Sequence, residues 1–273
     1  MRVACVQLCS TADVAKNLEQ VSREVHRAAA LGATFVATPE NTTFLGPSAL
    51  KLKLAEPLDG PTHRALAGIA RSAKVWLLIG SVAETGPGDG RCYNTSLLFD
   101  DTGLLRASYR KIHLFDVDIP GGPSFRESAF IAPGGSLAVA ETPMGNLGLS
   151  ICFDLRFPAM YRELVQRGAT VLAVPSAFTV PTGKEHWHLL LRARAVECQA
   201  FVLAPAQVGK HDDEGIRESY GHSLIVDPWG TVLADAGVDP DGIAVADLDL
   251  SQVQRVRAGM PLTSPFFPSG TIG

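Results

Sequence analysis

The chain is punctuated by short apolar runs, each cut off by a residue that stops a strand, and helical spacing fills the gaps between them. Residues 3–8 form one such run, ended by Ser10 and Thr11, and a run this short reads as a buried strand. Asp13 then stands where a helix cap is wanted, and Val14, Leu18, Val21, Val25 and Ala28 recur at helical intervals along one face. Gly32 closes that helix in the position that favours a left-handed residue. Residues 33–38 give the next strand, broken by Pro39 just before Glu40. Pro61 opens a second helix and residues 75–82 return to strand. Further on come a strand at 147–151, a helix at 158–167 and a strand at 170–174. The spacing then predicts a helix around 185–199, with Leu189, Ala193, Val196 and Ala200 on its apolar face. Two hairpins, 96–107 and 223–234, turn at Thr102-Gly103 and Trp229-Gly230. Strands alternating with helices, with hairpins added, define an α/β fold with mixed sheets.

The sequence also echoes itself. GATFVATPE at residues 32–40 aligns with GATVLAVPS at 168–176, and the two hairpins share Ser, Leu, Asp, Gly and Ala at matching positions. Two half-domains, each sheet covered by helices on one side, would stack as an αββα sandwich. At 273 residues a chain can bury about three quarters of its extended surface, so no staple is required. No Ser/Gly-rich linker or charge run divides it, so residues 1–273 read as one domain, with 262–273 as an extended tail.

Composition removes several classes of function. The net charge is −4 and there is no basic stripe, which argues against nucleic acid as a partner. The longest uncharged run, 168–183, contains two prolines and falls short of the roughly 20 apolar residues of a membrane span. Residues 3–8 are broken by Gln7 and too short for a signal-peptide core. Five irregularly spaced cysteines suit a reducing cytoplasm better than a disulfide framework.

Several residues stand where chemistry is built. Cys152 follows an apolar strand and precedes a helix, a junction that delivers a side chain to the sheet's carboxyl edge. Backbone N–H groups at a helix start favour a thiolate and bind an oxyanion, although cysteine is equally a small core residue. Glu40 arrives at the same edge from another strand, as a site carboxylate or a loop ion pair. Arg110, Lys111, His113, Asp116, Asp118 and Glu127 lie in a long connection, of a length that is uncommon without a function. They read as site residues or as a solvated charged loop. His186 and His188 lack the i, i+4 spacing of a helical metal pair, and neither Cys5 with Cys9 nor His211 with His222 matches a zinc pattern. No metal site and no phosphate-binding loop is expected.

Taken together, Pro39-Glu40, the stretch RKIHLFD at 110–116 and ICFDLRFP at 151–158 resemble the carbon–nitrogen hydrolases of the nitrilase superfamily. Within it, LLRARAVE at 190–197 and YGHSLIVDPWG at 220–230 look like the branch of deaminated glutathione amidase and omega-amidase. The resemblance implies a four-layer αββα sandwich that forms a homodimer or higher homo-oligomer and uses no cofactor. Its subunit contacts would come from the helix after Cys152 and the C-terminal segment. It further implies Cys152 as nucleophile, Glu40 as general base, Lys111 as stabiliser of the tetrahedral intermediate, and Glu127 as the glutamate that positions Lys111. Phe153, Arg156, Ser176, Phe178 and His186 would contact substrate, a small carboxylate-bearing amide cleaved to acid and ammonia through a thioester. A nitrilase or a carbamoyl-amide hydrolase would share the triad, and a silent binding homologue would keep only the fold. Arg126, Arg156, Lys184, His186 and Arg192 are candidates to hold the carboxylate; Arg156 alternatively pairs with Asp154. Two departures stand out: His188 replaces the glutamate of the usual His-Trp-Glu, and the tail lacks the branch's basic stretch ending in Leu-Tyr.

Overall fold

The computed structural model describes residues 1–118, 124–211 and 217–262. The expected tail beyond Leu262 lies outside the described residues. The chain opens with β1 (Arg2–Val6), α1 (Val14–Ala30), β2 (Phe35–Ala37), α2 (Ser48–Lys53) and α3 (Pro61–Ala73). It continues through β3 (Trp76–Glu84), β4 (Tyr93–Phe99), β5 (Leu105–Arg110), β6 (Asp116–Asp118) and β7 (Ser124–Arg126). Then follow β8 (Val139–Thr142), β9 (Gly145–Leu149), α4 (Pro158–Gln166), β10 (Val171–Ala173), α5 (Val180–Cys198) and β11 (Phe201–Ala204). The last elements are β12 (Val208–Lys210), β13 (Glu218–Tyr220), β14 (Leu224–Val226), β15 (Val232–Asp235), β16 (Ile243–Asp247) and α6 (Ser251–Gly259).

Local chemistry sets the element ends. The Asp13 carboxylate accepts from the backbone N–H of Ala15 (3.0 Å) and Lys16 (3.2 Å), satisfying donors that the first turn of α1 leaves orphaned. Gly32, at φ +86°, lets the chain leave α1 and turn back into β2.

Two six-stranded sheets form the middle of the molecule, in the orders β16-β1-β2-β3-β4-β5 and β15-β14-β11-β10-β9-β8. Each has a parallel centre, β1-β2-β3 in one and β9-β10-β11 in the other, flanked by antiparallel strands. The strand echoes match this correspondence, since β2 and β10 occupy equivalent central places and both hairpins form the sheet edges.

Side-chain alternation assigns the layers. On the first sheet, Ala4, Val6, Val36, Leu77, Ile79 and Leu97 pack under Val21, Val25 and Ala28 of α1 and Leu66 and Ala70 of α3. The opposite face, with Val3, Cys5, Phe35, Ala37, Leu78 and Leu98, joins the core of the second sheet. That core extends to Leu164 of α4 and Trp187, Leu191 and Ala195 of α5. Period-two strands buried on both sides thus produce the αββα sandwich.

One helix is turned from its expected orientation. The side chains of α5 that face inward are Trp187, Leu191, Arg194, Ala195 and Cys198, whereas Leu189 is 66% and Val196 49% exposed. The helix begins earlier than its spacing suggests, and its apolar residues form two stripes, of which the tryptophan's wins the core. Among the described residues no helix is long and apolar enough to cross a membrane.

Candidate active site

Four chain segments converge at the carboxyl edges of the two sheets. The ladder of β2 runs on past its end, with the Thr38 N–H bonding the Leu78 carbonyl at 2.9 Å, and Pro39 then turns the chain so that Glu40 points inward. Gly80 permits this turn: a Cβ there would meet the Thr38 carbonyl oxygen at 2.2 Å and the Pro39 carbonyl carbon at 2.4 Å. Lys111 directly follows β5, its N–H held by the Asn94 carbonyl at 2.9 Å. Cys152 continues the line of β9, where Ser150 and Cys152 donate to the carbonyls of Ala173 and Pro175. It then adopts φ +49°, a left-handed conformation costly for a side-chain-bearing residue, and opens a 3₁₀ turn, Cys152–Arg156. Glu127 opens a second 3₁₀ turn after β7.

These side chains form one bonded cluster. Lys111 Nζ donates to Glu40 Oε1 (2.9 Å) and to both oxygens of Glu127 (3.1 and 2.9 Å). Asn94 Nδ2 donates to Glu40 Oε1 at 2.9 Å, and the Ala177 N–H to Glu40 Oε2 at 3.0 Å. The Phe115 N–H fixes Glu127 Oε2 at 2.6 Å. Burial opposes charge on the Lys111 ammonium, but Glu127 and Glu40 outweigh it and hold the group well above its ordinary range. Burial likewise works against the Glu40 carboxylate, and Lys111 reverses the balance, holding its pKa below the ordinary value. The site therefore contains an ionised base and a permanent cation side by side.

The Cys152 thiol is pushed far above the ordinary thiol range, by burial first and by the Glu40 charge second. Burial and the Glu40 charge outweigh any lowering from the backbone N–H groups of the turn, so the resting group is a neutral thiol, as a mechanism with Glu40 as general base requires.

Asp154 is fully buried and accepts from Tyr109 Oη (2.7 Å), the Ile151 N–H (2.9 Å) and the His113 N–H (3.0 Å), with the His113 ring at 2.7 Å. Its capacity is filled by the scaffold, so the alternative ion pair with Arg156 does not form. Arg156 instead reaches His186 Nδ1 at 3.1 Å and lies over the Phe178 ring.

A cavity of about 370 Å³ opens over Cys152, lined among others by Glu40, Lys111, Glu127, Phe153, Arg156 and Phe178. Ser176, expected at its wall, is not there: it is completely buried, donates Oγ–H to the Val174 carbonyl at 3.0 Å, and its N–H bonds Pro205. The neighbouring Ala177 takes its place on the wall. His186 touches the cavity only through Arg156, while Lys184 and Arg192 do not line it; Arg192 bonds the Gly230 carbonyl. Arg126 lines the wall and pairs with Asp118 at 2.9 Å.

Sequence reading missed Asn94, the bridge between the two glutamates, and Lys51, which lines the cavity and donates to Asn41 Oδ1 at 2.5 Å. Lys51 lies on the short helix α2, outside the motifs. The structure also brings His188, His222 and Asp235 together, three residues that no spacing rule connects.

The chain belongs to the carbon–nitrogen hydrolase family, whose pattern matches residues 2–258. It is a hydrolase acting on non-peptide carbon–nitrogen bonds, with the fold of the nitrilase superfamily. It is 41% identical over 261 residues to the deaminated glutathione amidase of Synechocystis sp., covering 94% of this chain and 95% of that one. Among solved structures it resembles Saccharomyces cerevisiae Nit3, a member of branch 10 of the nitrilase superfamily, with a TM-score of 0.86, 31% identity and coverage of 97% and 96%. It also resembles an amidase of Nesterenkonia sp. AN1 solved with acrylamide added to its active-site cysteine, with a TM-score of 0.78, 31% identity and coverage of 95% and 97%.

Proposed function

We propose that the chain is a cysteine-dependent amidase for small carboxylate-bearing amides, such as deaminated glutathione or the omega-amide of a 2-oxo acid. The observation that carries this reading is a charge imbalance in the cavity. Lys111 is neutralised by Glu40 and Glu127, and Arg126 by Asp118. Lys51 and Arg156 also face the cavity, yet among the described residues neither pairs with a carboxylate. Burial holds both below their ordinary pKa values, so an anionic substrate relieves an existing cost.

The geometry supports a two-stage mechanism. Glu40 takes the thiol proton as Cys152 Sγ attacks the amide carbonyl carbon. The oxyanion is met by Lys111 Nζ and the backbone N–H of Phe153, in the first turn after the nucleophile. As the C–N bond breaks, Glu40 returns the proton to departing ammonia and leaves a thioester. Water attacks the thioester, giving its proton to Glu40, and collapse releases the acid and restores the thiol. Glu127 keeps Lys111 charged and aimed. Every step moves protons among these groups and water, without change of oxidation state.

The substrate assignment is tested with an amide acid and its uncharged methyl ester. Lys51→Met and Arg156→Leu should each lower kcat/KM for the acid by about 10–100-fold, the scale of a lost charge-assisted hydrogen bond, and leave the ester nearly unaffected. Equal losses on both substrates would remove the carboxylate from the proposal.

The outward stripe of α5 supports a homodimer. Leu189, Val196 and the hairpin-tip Trp229, which is 61% exposed, lie uncovered, and Gly230 at that tip sits against Val196, so these residues adjoin. None of the five cysteines forms a disulfide, which suits a reducing cytoplasm.

A further inference from the structure

The geometry points to a divalent transition-metal site, of the zinc type, formed by His188, His222 and Asp235 outside the catalytic cavity. His188 comes from α5, His222 from the segment between β13 and β14, and Asp235 from the end of β15. None of the three lines the cavity.

The donor atoms already converge. His188 Nε2 lies 3.1 Å from Asp235 Oδ2, and His222 Nδ1 lies 3.0 and 3.1 Å from the two oxygens of the same carboxylate. All three donors are within 4.8 Å of one another. Ligands of a tetrahedral zinc ion at about 2.1 Å stand roughly 3.4 Å apart. Small rotations of the two rings, whose planes cross at 72°, therefore bring both nitrogens to an ion placed between them. Two imidazoles and one carboxylate make a donor set suited to zinc, cobalt or nickel rather than to calcium or magnesium.

The surroundings hold each ligand in place. The Gly237 N–H donates to Asp235 Oδ1 at 2.8 Å. Tyr220 stacks on His222 at 4.6 Å and meets His188 edge-on. The His222 carbonyl accepts from Trp187 Nε1 at 2.8 Å, tying the segment to the buried side of α5. Such outer contacts orient metal ligands and sharpen affinity. Among the described residues, Asp235 pairs with no lysine or arginine, and the side chains that meet its carboxylate are the two imidazoles. The three side chains are 22–35% exposed, which leaves an entry path and room for water on the remaining coordination positions.

The test is a calorimetric titration of the whole, metal-free protein with zinc chloride, repeated with cobalt(II) and followed by absorption. One ion per chain is expected, with a cobalt d–d band and no thiolate-to-cobalt charge-transfer band. His188→Gln and Asp235→Asn should each raise Kd at least about tenfold, while Cys9→Ser titrates like the parent. Folding of the variants is checked by thermal melting without metal, and added zinc should raise Tm of the parent alone. Absence of saturable binding by the parent would overturn the site, as would unchanged affinity in either ligand variant or a thiolate band in the cobalt spectrum.

Discussion

At the scale of single residues, the cluster turns on the shape of one cation. Lys111 Nζ sits between two carboxylates, 2.9 Å from each, and is almost wholly buried. A guanidinium keeps the charge but spreads it over a wide planar fork. Lys111→Arg should therefore lower kcat by about two orders of magnitude or more, the scale of a lost oxyanion donor. A value within a few-fold of the parent would show that charge alone suffices. The pH behaviour has a worked sign. Glu40 is held below the ordinary carboxylate value, so its base form, and the stability of its pairing with Lys111, persist in weak acid and are lost only as pH falls through that depressed pKa. Cys152 is shifted the other way, so without substrate its alkylation by iodoacetamide should show no thiolate wave in the usual thiol range. A wave near the ordinary thiol pKa would contradict the buried neutral thiol. Lys51, lowered by burial, must be charged to hold a carboxylate. KM for an amide acid should accordingly rise with pH below the normal lysine range, and Lys51→Arg should move that rise to higher pH. Glu40, Lys111 and Cys152 were legible as candidates because Glu40 and Cys152 each follow an apolar strand, Lys111 follows a hairpin, and all three lie in recognisable motifs. Asn94 and Lys51 were not, because their roles arise from what the fold places opposite them.

At the scale of elements, the site depends on how strands end. The continued ladders past β2 and β9 carry Glu40 and Cys152 to one place, and Asp154 clamps the turn that follows. Tyr109→Phe removes a hydroxyl that donates to the buried Asp154 carboxylate at 2.7 Å. It should cost about 1.5–3 kcal/mol of stability by denaturant unfolding; a loss under about 0.5 kcal/mol would deny Asp154 its anchoring role. Gly80→Ala has no room, since the nearest atoms are the Thr38 and Pro39 backbone and the rigid Pro175 ring, and its strain would fall on the Pro39 turn that aims Glu40. Most elements were legible because caps and breakers mark them, as Asp13, Gly32, Pro39 and Pro61 do. The orientation of α5 was not. Its spacing offers two apolar stripes, and only the packing of Trp187 against Phe178, at 4.8 Å between rings, selects the inward one. Ser176 failed for a related reason: the echo with Glu40 places it at an equivalent strand end, but its hydroxyl turns back to its own backbone.

At the scale of the whole molecule, the proposed homodimer would use the stripe of α5 that stays outside the core, where Leu189 and Val196 are exposed. Val196→Glu combined with Trp229→Ser should convert a dimer of the 29.0 kDa chain to monomer in light scattering, whereas a dimer that survives both changes would place the interface elsewhere. The central claim, that Cys152 forms a thioester with the acyl part of a small amide, has a direct test. The protein is mixed with an amide acid, quenched in acid within the turnover time, digested and weighed by mass spectrometry. The account predicts the mass of the acyl group on the Cys152 peptide, removed by hydroxylamine and absent in Cys152→Ala. Turnover by the parent with no adduct on that peptide under any quench time, or ammonia release by Cys152→Ala at the parent's rate, would contradict it.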